Sequence, residues 1–313
     1  LSETFREITG KVLLHCPLAG AMLCRLFVED GWLWLQERRD WSFKRFTANF
    51  RTSTSLTGTC SVTRGSTTVT PGTLTFSATD VGRQFRVGNG IPFTIVDVTA
   101  GVATLDNQYG GSTDVAATGM VLDAFITMPA DFGRFLNVID PVNQWQLHLW
   151  VTEQELALRD PARQFIQDPW AIVNGTYSPV PGSEGLIRYE LWPYLLESRR
   201  YDYMAIRRPM PAVDTKSPTG PFQHRPDVVR QAALMKAAQW PGQGDRKNPY
   251  YQPQLAITLE RQLLSMLENL ERSDEETYLT MLDLTGVDRM RFAPLDSAWM
   301  QGHDALAAPG WGA

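Results

Sequence analysis

At 313 residues, 43% hydrophobic and 20% charged, the chain has the composition of a globular protein. It makes one large domain or two of ordinary size and needs neither disulfides nor metals to fold. A net charge of −5 is the wrong sign for gripping phosphates, which excludes tight non-specific nucleic-acid binding.

In chain order, Ser2 followed by Phe5, Ile8, Val12 and Leu13 predicts a capped amphipathic helix. The polar opening LSETFREITG is not that of a signal peptide. Pro17 suits the first position of a second helix, along which Leu18, Met22, Leu26 and Leu33 recur at near-helical spacing. This helix is expected to end around 38–40, before DWSFKRF. From about 47 to 127 the chain turns rich in Thr, Val and Gly. Runs such as CSVTRG, TTVTPG, RQFRVGNG and FTIVDVTAG alternate between turn residues, which predicts antiparallel strands in a small β domain inserted into the body.

Further strands follow over 136–151. QWQLHLWV reads as a single strand, with Gln144, Gln146 and His148 on one face and Trp145, Leu147 and Leu149 on the other. IRYELWPYLLESRRYDYMAIRRPMP reads as two strands separated by a proline break. A proline-rich loop over 213–225 leads to a helix from Pro226 through Val228, Ala232, Met235 and Trp240. Leu255, Leu259, Leu263, Met266 and Leu270 mark another amphipathic helix. SDEE at 273–276 predicts a capping box that starts one more. The fold class expected from this order is α+β: a helical bundle body over 1–46 and 128–285 carrying antiparallel strands, a β insertion domain over 47–127, and an extended C-terminal tail over 286–313. No run of about 18 apolar residues offers a membrane span.

Catalytic motifs are absent from the sequence. His15, His148, His224 and His303 have no second ligand at metal spacing, and HExxH, GxSxG, Walker and GxGxxG patterns do not occur. Cys16, Cys24 and Cys60 lack CxxC spacing, so neither a disulfide framework nor a zinc site is indicated, as suits a reducing cytoplasm. His15 and Cys16 are adjacent and point apart on a helix rather than forming a nucleophile pair. The Gly88 to Gly90 turn is flanked by strands and reads as a hairpin rather than a phosphate loop. The acids at 274–276 serve a helix start. No enzyme, cofactor or metal is therefore expected. The segment ITMPADFGRFLNVID places Asp131 and Arg134 close together, either as half of an active site or as a corner. Pro129 ends a strand, Asp131 can accept N–H bonds in the turn, and Phe132 and Phe135 can pack back into the body, so the corner is the reading adopted.

The order of these elements resembles that of the head-to-tail adaptor (connector) proteins of tailed bacteriophages. The matching stretches are Met128-Pro129-Ala130-Asp131-Phe132 with Arg134, Tyr189-Glu190-Leu191-Trp192-Pro193, and Ala205-Ile206-Arg207-Arg208-Pro209. The family more often has leucine where Met128 stands. The segment TFSATDVGRQFRVGNGIPFTIVDVTAGVATLDNQYGG is similar to a β insert of some relatives. The resemblance implies a structural virion protein of the neck, assembled in the host cytoplasm. Such proteins form a homo-oligomeric ring, generally of twelve copies, between the portal protein and the tail or nozzle proteins. DNA passes through the lumen without specific binding, and no membrane is involved. Phe292, Trp299, Met300 and Trp311 are the candidate partner interface. Deleting residues 287–313 is expected to abolish attachment to the portal while the monomer stays folded, as pull-down and circular dichroism would read; unchanged attachment would contradict this. The alternative is a carbohydrate- or surface-binding β module on a helical scaffold. An enzyme, a glycosidase or a peptidase, ranks last.

Overall fold

Apolar residues recur every three or four positions at the two ends of the chain, and there the helices form. The computed structural model describes residues 2–243, 246–285 and 291–292. It divides into two units: Leu1–Phe46 with Ala205–Arg289, and Thr47–Met204 with Met290–Ala313.

In the first unit, α1 (Phe5–His15) is capped by Thr4 rather than by Ser2. The Thr4 hydroxyl accepts the Glu7 N–H, and the Glu7 carboxylate accepts the Thr4 N–H, the reciprocal pairing of a Thr-x-x-Glu box. A 3-10 turn at Pro17–Ala19 precedes α2 (Gly20–Glu37). One face of α2 buries Cys24, Phe27, Val28, Trp32 and Leu35. Gly31 lets α2 approach α4 (Pro226–Gln239), the helix that follows α3 (Glu153–Arg159) of the other unit. A Cβ on Gly31 would stand 2.8 Å from the Ala233 nitrogen and 2.9 Å from the Ala232 carbonyl carbon, closer than backbone atoms allow. Trp32 sits among Phe5, Phe43 and Phe222, with ring centroids 5.4, 6.0 and 5.5 Å away. The buried amide of Gln36 is fully occupied: its nitrogen donates to the Met210 carbonyl and its oxygen accepts the Met210 N–H, both at 2.8 Å.

The last helix, α5 (Pro253–Thr285), buries Ala256, Leu263, Leu267, Leu270 and Asp274 along one seam. The SDEE segment does not start a new helix, as its pattern predicts. Asp274 instead accepts the Ser42 N–H at 2.9 Å, so the carboxylate caps another segment while its own helix runs on. Among the described residues no single helix is long and apolar enough to cross a membrane.

In the second unit, β1 (Arg45–Arg51) leads into six strands that close on themselves: β2 (Leu56–Val62), β3 (Thr68–Pro71), β4 (Gln84–Val87), β5 (Phe93–Thr99), β6 (Val102–Leu105) and β7 (Asp114–Leu122). Their order around the barrel is β2-β3-β6-β5-β4-β7, and among the described residues the ladders between them are antiparallel. A six-stranded barrel is narrow, so its interior is filled by side chains rather than open. Val62, Val69, Phe85, Ile95, Ala103 and Val121 form part of that filling. Gly58 and Gly119 face each other across β2 and β7. A Cβ on Gly119 would come within 2.8 Å of Cys60 Sγ and 2.9 Å of Phe85, so the packed interior leaves no room for a side chain there.

Seven strands follow: β8 (Phe125–Thr127), β9 (Phe132–Asp140), β10 (Trp145–Gln146), β11 (His148–Val151), β12 (Ala171–Tyr177), β13 (Ile187–Trp192) and β14 (Arg200–Arg207). They build a four-stranded sheet in the order β11-β12-β13-β8. A five-stranded sheet runs β1-β14-β9-β10 and ends on the short strand Arg291–Phe292. QWQLHLWV is divided between the two sheets instead of forming one strand. The Leu147 N–H still donates to Val138 in β9, while the His148 N–H turns to the Trp170 carbonyl before β12.

The expected helical-bundle body is therefore corrected. The fold is dominated by a closed barrel and two further sheets, with five α-helices among the described residues. The strands after residue 128 are not accessories to helices, because they carry apolar cores of their own. Trp170, Ala171, Val173 and Trp192 form one such cluster with Val151 and Leu156. The extended tail expected over 286–313 falls, apart from Arg291–Phe292, outside the described residues.

Asp123, between β7 and β8, accepts the Ser53 N–H at 2.6 Å. Burial raises its pKa above the ordinary carboxylate range, against the opposing pull of the Ser53 bonds and the Arg83 charge. The folded protein thus holds a proton that the unfolded chain has already released. The contribution of Asp123 to stability is fully present below the ordinary carboxylate pKa of about 4 and is lost as pH rises through the raised value. Asp123→Asn keeps an acceptor without the charge and is expected to flatten that slope, as urea unfolding across mildly acidic pH would show. Parallel profiles for variant and parent would contradict it.

Candidate functional site

The segment after β8 turns the chain from the four-stranded sheet to the five-stranded one. The Met128 N–H closes the first sheet by donating to the Ile187 carbonyl at 2.8 Å. The Pro129 carbonyl accepts the Phe132 N–H at 3.0 Å, which makes 129–132 a β-turn with Ala130 and Asp131 at its tip. Phe132 then opens β9 fully buried, with ring centroids 4.7 Å from Phe135 and 5.8 Å from Tyr189. Phe135 stands 5.3 Å from Tyr203. Burial, and after it the charge of Asp131, pushes the Tyr203 phenol pKa up. Pro129, Asp131 and Arg134 are exposed. The turn thus presents its polar residues to solvent and its aromatic residues to the interior.

The tail candidates are placed only in part. The Phe292 backbone pairs with Gln146, and Arg291 with Trp145, in a parallel ladder. Trp299, Met300 and Trp311 lie outside the described residues.

Cys16, Cys24 and Cys60 are buried free thiols. Burial raises the pKa of each, that of Cys60 to about 11, which keeps them protonated and poorly nucleophilic at neutral pH. Among the described residues no group of three or more His, Cys, Asp and Glu is arranged to hold a metal ion.

A surface feature of the first unit is more informative. Leu14, Leu18, Met22 and Leu26 are 81, 78, 82 and 48% exposed. They follow one another at four-residue intervals across the elbow between α1 and α2. Beside them runs a groove of about 720 Å³ lined by Leu18, Met22, Leu23, Leu26, Trp240 and Pro249. Its wall is fixed where the Leu18 N–H donates to the Tyr250 hydroxyl at 2.8 Å. Leu18, Met22 and Leu26, which line one groove, make a contiguous exposed apolar patch of the kind that marks interaction surfaces. Near-helical spacing alone reads Leu18, Met22 and Leu26 as an ordinary amphipathic stripe; it does not show that they face outward. The missed signal is that α2 is apolar on two faces, since Cys24, Phe27, Val28 and Trp32 already supply the buried one.

No protein-family model matches the chain, and no curated protein is significantly similar to it.

Proposed function

We propose that the protein is a structural subunit of a bacteriophage neck, a head-to-tail adaptor that forms a ring between the portal and the tail. The observation that carries this reading is the outward apolar patch of Leu18, Met22 and Leu26 along one groove. The occupant proposed for it is a second copy of the chain. A ring built head to tail needs two different patches on each subunit. The same unit offers a second one at the start of α5, where Tyr251, Leu255 and Ile257 are also exposed. The resemblance in element order supports the reading, and so does the acidic net charge. A conduit works best when its wall does not hold the DNA that passes through it.

The test is reconstitution with the portal of the virus presumed to encode the chain, viewed by electron microscopy. Portal particles extended at one end by a closed ring are the expected result. Portal particles left bare at high concentration of this protein would overturn the proposal.

A further inference from the structure

The groove of about 720 Å³ in the helical unit runs between the start of α2 and the segment that links α4 to α5. Leu18, Met22, Leu23, Leu26, Trp240 and Pro249 make it apolar. Lys247 is the one charged residue among the described residues that line it, and it is exposed. Hydrogen bonds fix the walls. The Leu18 N–H donates to the Tyr250 hydroxyl, and the Asn248 side-chain amide donates to the Ala237 and Trp240 carbonyls, both at 2.7 Å. Walls held in this way receive an occupant without the entropic cost of first being ordered.

The occupant of such a groove is apolar, because polar groups buried there without partners cost stability. Negative charge at its edge meets Lys247. Residues 293–313, APLDSAWMQGHDALAAPGWGA, lie outside the described residues and have this chemistry in their sequence. Leu295, Trp299, Met300, Leu306 and Trp311 stand among Ala, Gly and Pro. Asp296 and Asp304 are the charged residues of the segment, which has no Lys or Arg. Tryptophan and methionine are enriched at the cores of protein interfaces, where tryptophan is a frequent anchor in a desolvated pocket.

Reach decides whether the segment can serve another copy. Arg291 and Phe292 pair in a parallel ladder with Trp145 and Gln146, so the segment starts from a fixed point. The 21 residues that follow span at most about 70 Å when extended, roughly twice the diameter of a small domain. That is long enough to cross to an adjoining subunit. The tail of one copy in the groove of the next joins two different patches, the head-to-tail contact that closes into a ring. We infer that the groove receives the C-terminal segment 293–313 of the neighbouring copy, with its tryptophans against Leu18, Met22, Leu26 and Trp240 and its aspartates toward Lys247. The inference rests on the ring reading and names the element that links one subunit to the next. Deletion of 287–313 then acts on portal attachment through a ring that no longer closes.

The test uses full-length variants. A tail variant carries Trp299→Glu and Trp311→Glu and keeps its groove; a groove variant carries Leu18→Glu and Met22→Glu and keeps its tail. A fluorescein-labelled peptide of residues 293–313 is expected to bind the tail variant saturably by fluorescence anisotropy, and at least tenfold more weakly when all four substitutions are combined. Sedimentation velocity is expected to give monomers for each variant alone and a heterodimer for their mixture at high concentration, because one intact tail then meets one intact groove. Circular dichroism checks that each variant folds. Should the groove substitutions unfold the chain, Lys247→Glu on the tail variant reverses the charge at the groove edge and is expected to weaken the peptide at least threefold. No saturable binding to the tail variant, or undiminished binding once the groove is altered, would overturn the inference. Peptide binding without a heterodimer would overturn it too, by assigning the groove to the chain's own tail. None of these readouts needs the portal: bare portals beside a bound peptide and a heterodimer would fault the ring alone, and closed rings beside an unbound peptide would fault this inference alone.

Discussion

Replacing Leu18 and Met22 together with glutamate is expected to leave the monomer folded and to abolish ring formation. Both side chains are almost fully exposed, so the charges stay hydrated in the free subunit. Surface substitutions of this kind usually change stability by no more than about 0.5 kcal/mol. In a subunit contact the same carboxylates would be stripped of water without partners, at a cost of several kcal/mol at each interface. A closed ring repeats that cost at every junction, so the effect on assembly is all-or-none. Thermal unfolding by circular dichroism gives the monomer readout, and electron microscopy of the reconstituted ring gives the assembly readout. Rings that form normally from the double variant would remove the stripe from the interface.

Trp32→Ala is expected to be the most damaging single truncation in the helical unit. The indole is buried and surrounded by the rings of Phe5, Phe43 and Phe222, on the face of α2 where Gly31 brings the helix close to α4. Rigid, tightly packed neighbours collapse poorly into a cavity. Truncations of buried aromatic side chains cost about 3–5 kcal/mol, a large share of the stability of an ordinary domain. Urea denaturation reads the loss as a lower midpoint with an unchanged slope. A loss below about 1 kcal/mol would show that the cluster relaxes around the hole.

Much of the local structure can be read from residue patterns. Thr-x-x-Glu at Thr4 and Glu7 is a capping box, although Ser2 is the earlier candidate in the sequence. Gly88 falls in the tight turn between β4 and β5, with a φ of 52°. What periodicity does not carry is which strands pair. Strand order across a closed barrel is set by contacts between residues far apart in the chain, as with β2 on β7. The helical-bundle expectation arose because the strands after residue 128 are short and separated by prolines and turns. Their sheets and apolar clusters exist only once β8, β12 and β13 meet.

The candidate surfaces were legible to different degrees. The turn at Pro129, Asp131, Phe132 and Arg134 announces itself through proline, an acid and aromatics in close succession. The outward stripe is visible as apolar spacing, but its direction depends on which face of α2 the remaining helices cover. Arg188 is invisible to sequence reading, because in IRYELW it looks like one more alternating polar residue on a strand. In the fold it is buried, with its guanidinium carbon 3.8 Å from the centre of the Phe125 ring on the neighbouring β8.

The most direct test of the assembly account is quantitative mass spectrometry of purified virions from the virus presumed to encode this chain, with copy number referenced to the portal protein. A ratio near one is the result predicted for a ring matched to the portal. A large excess over the portal, or complete absence from the particles, would contradict it.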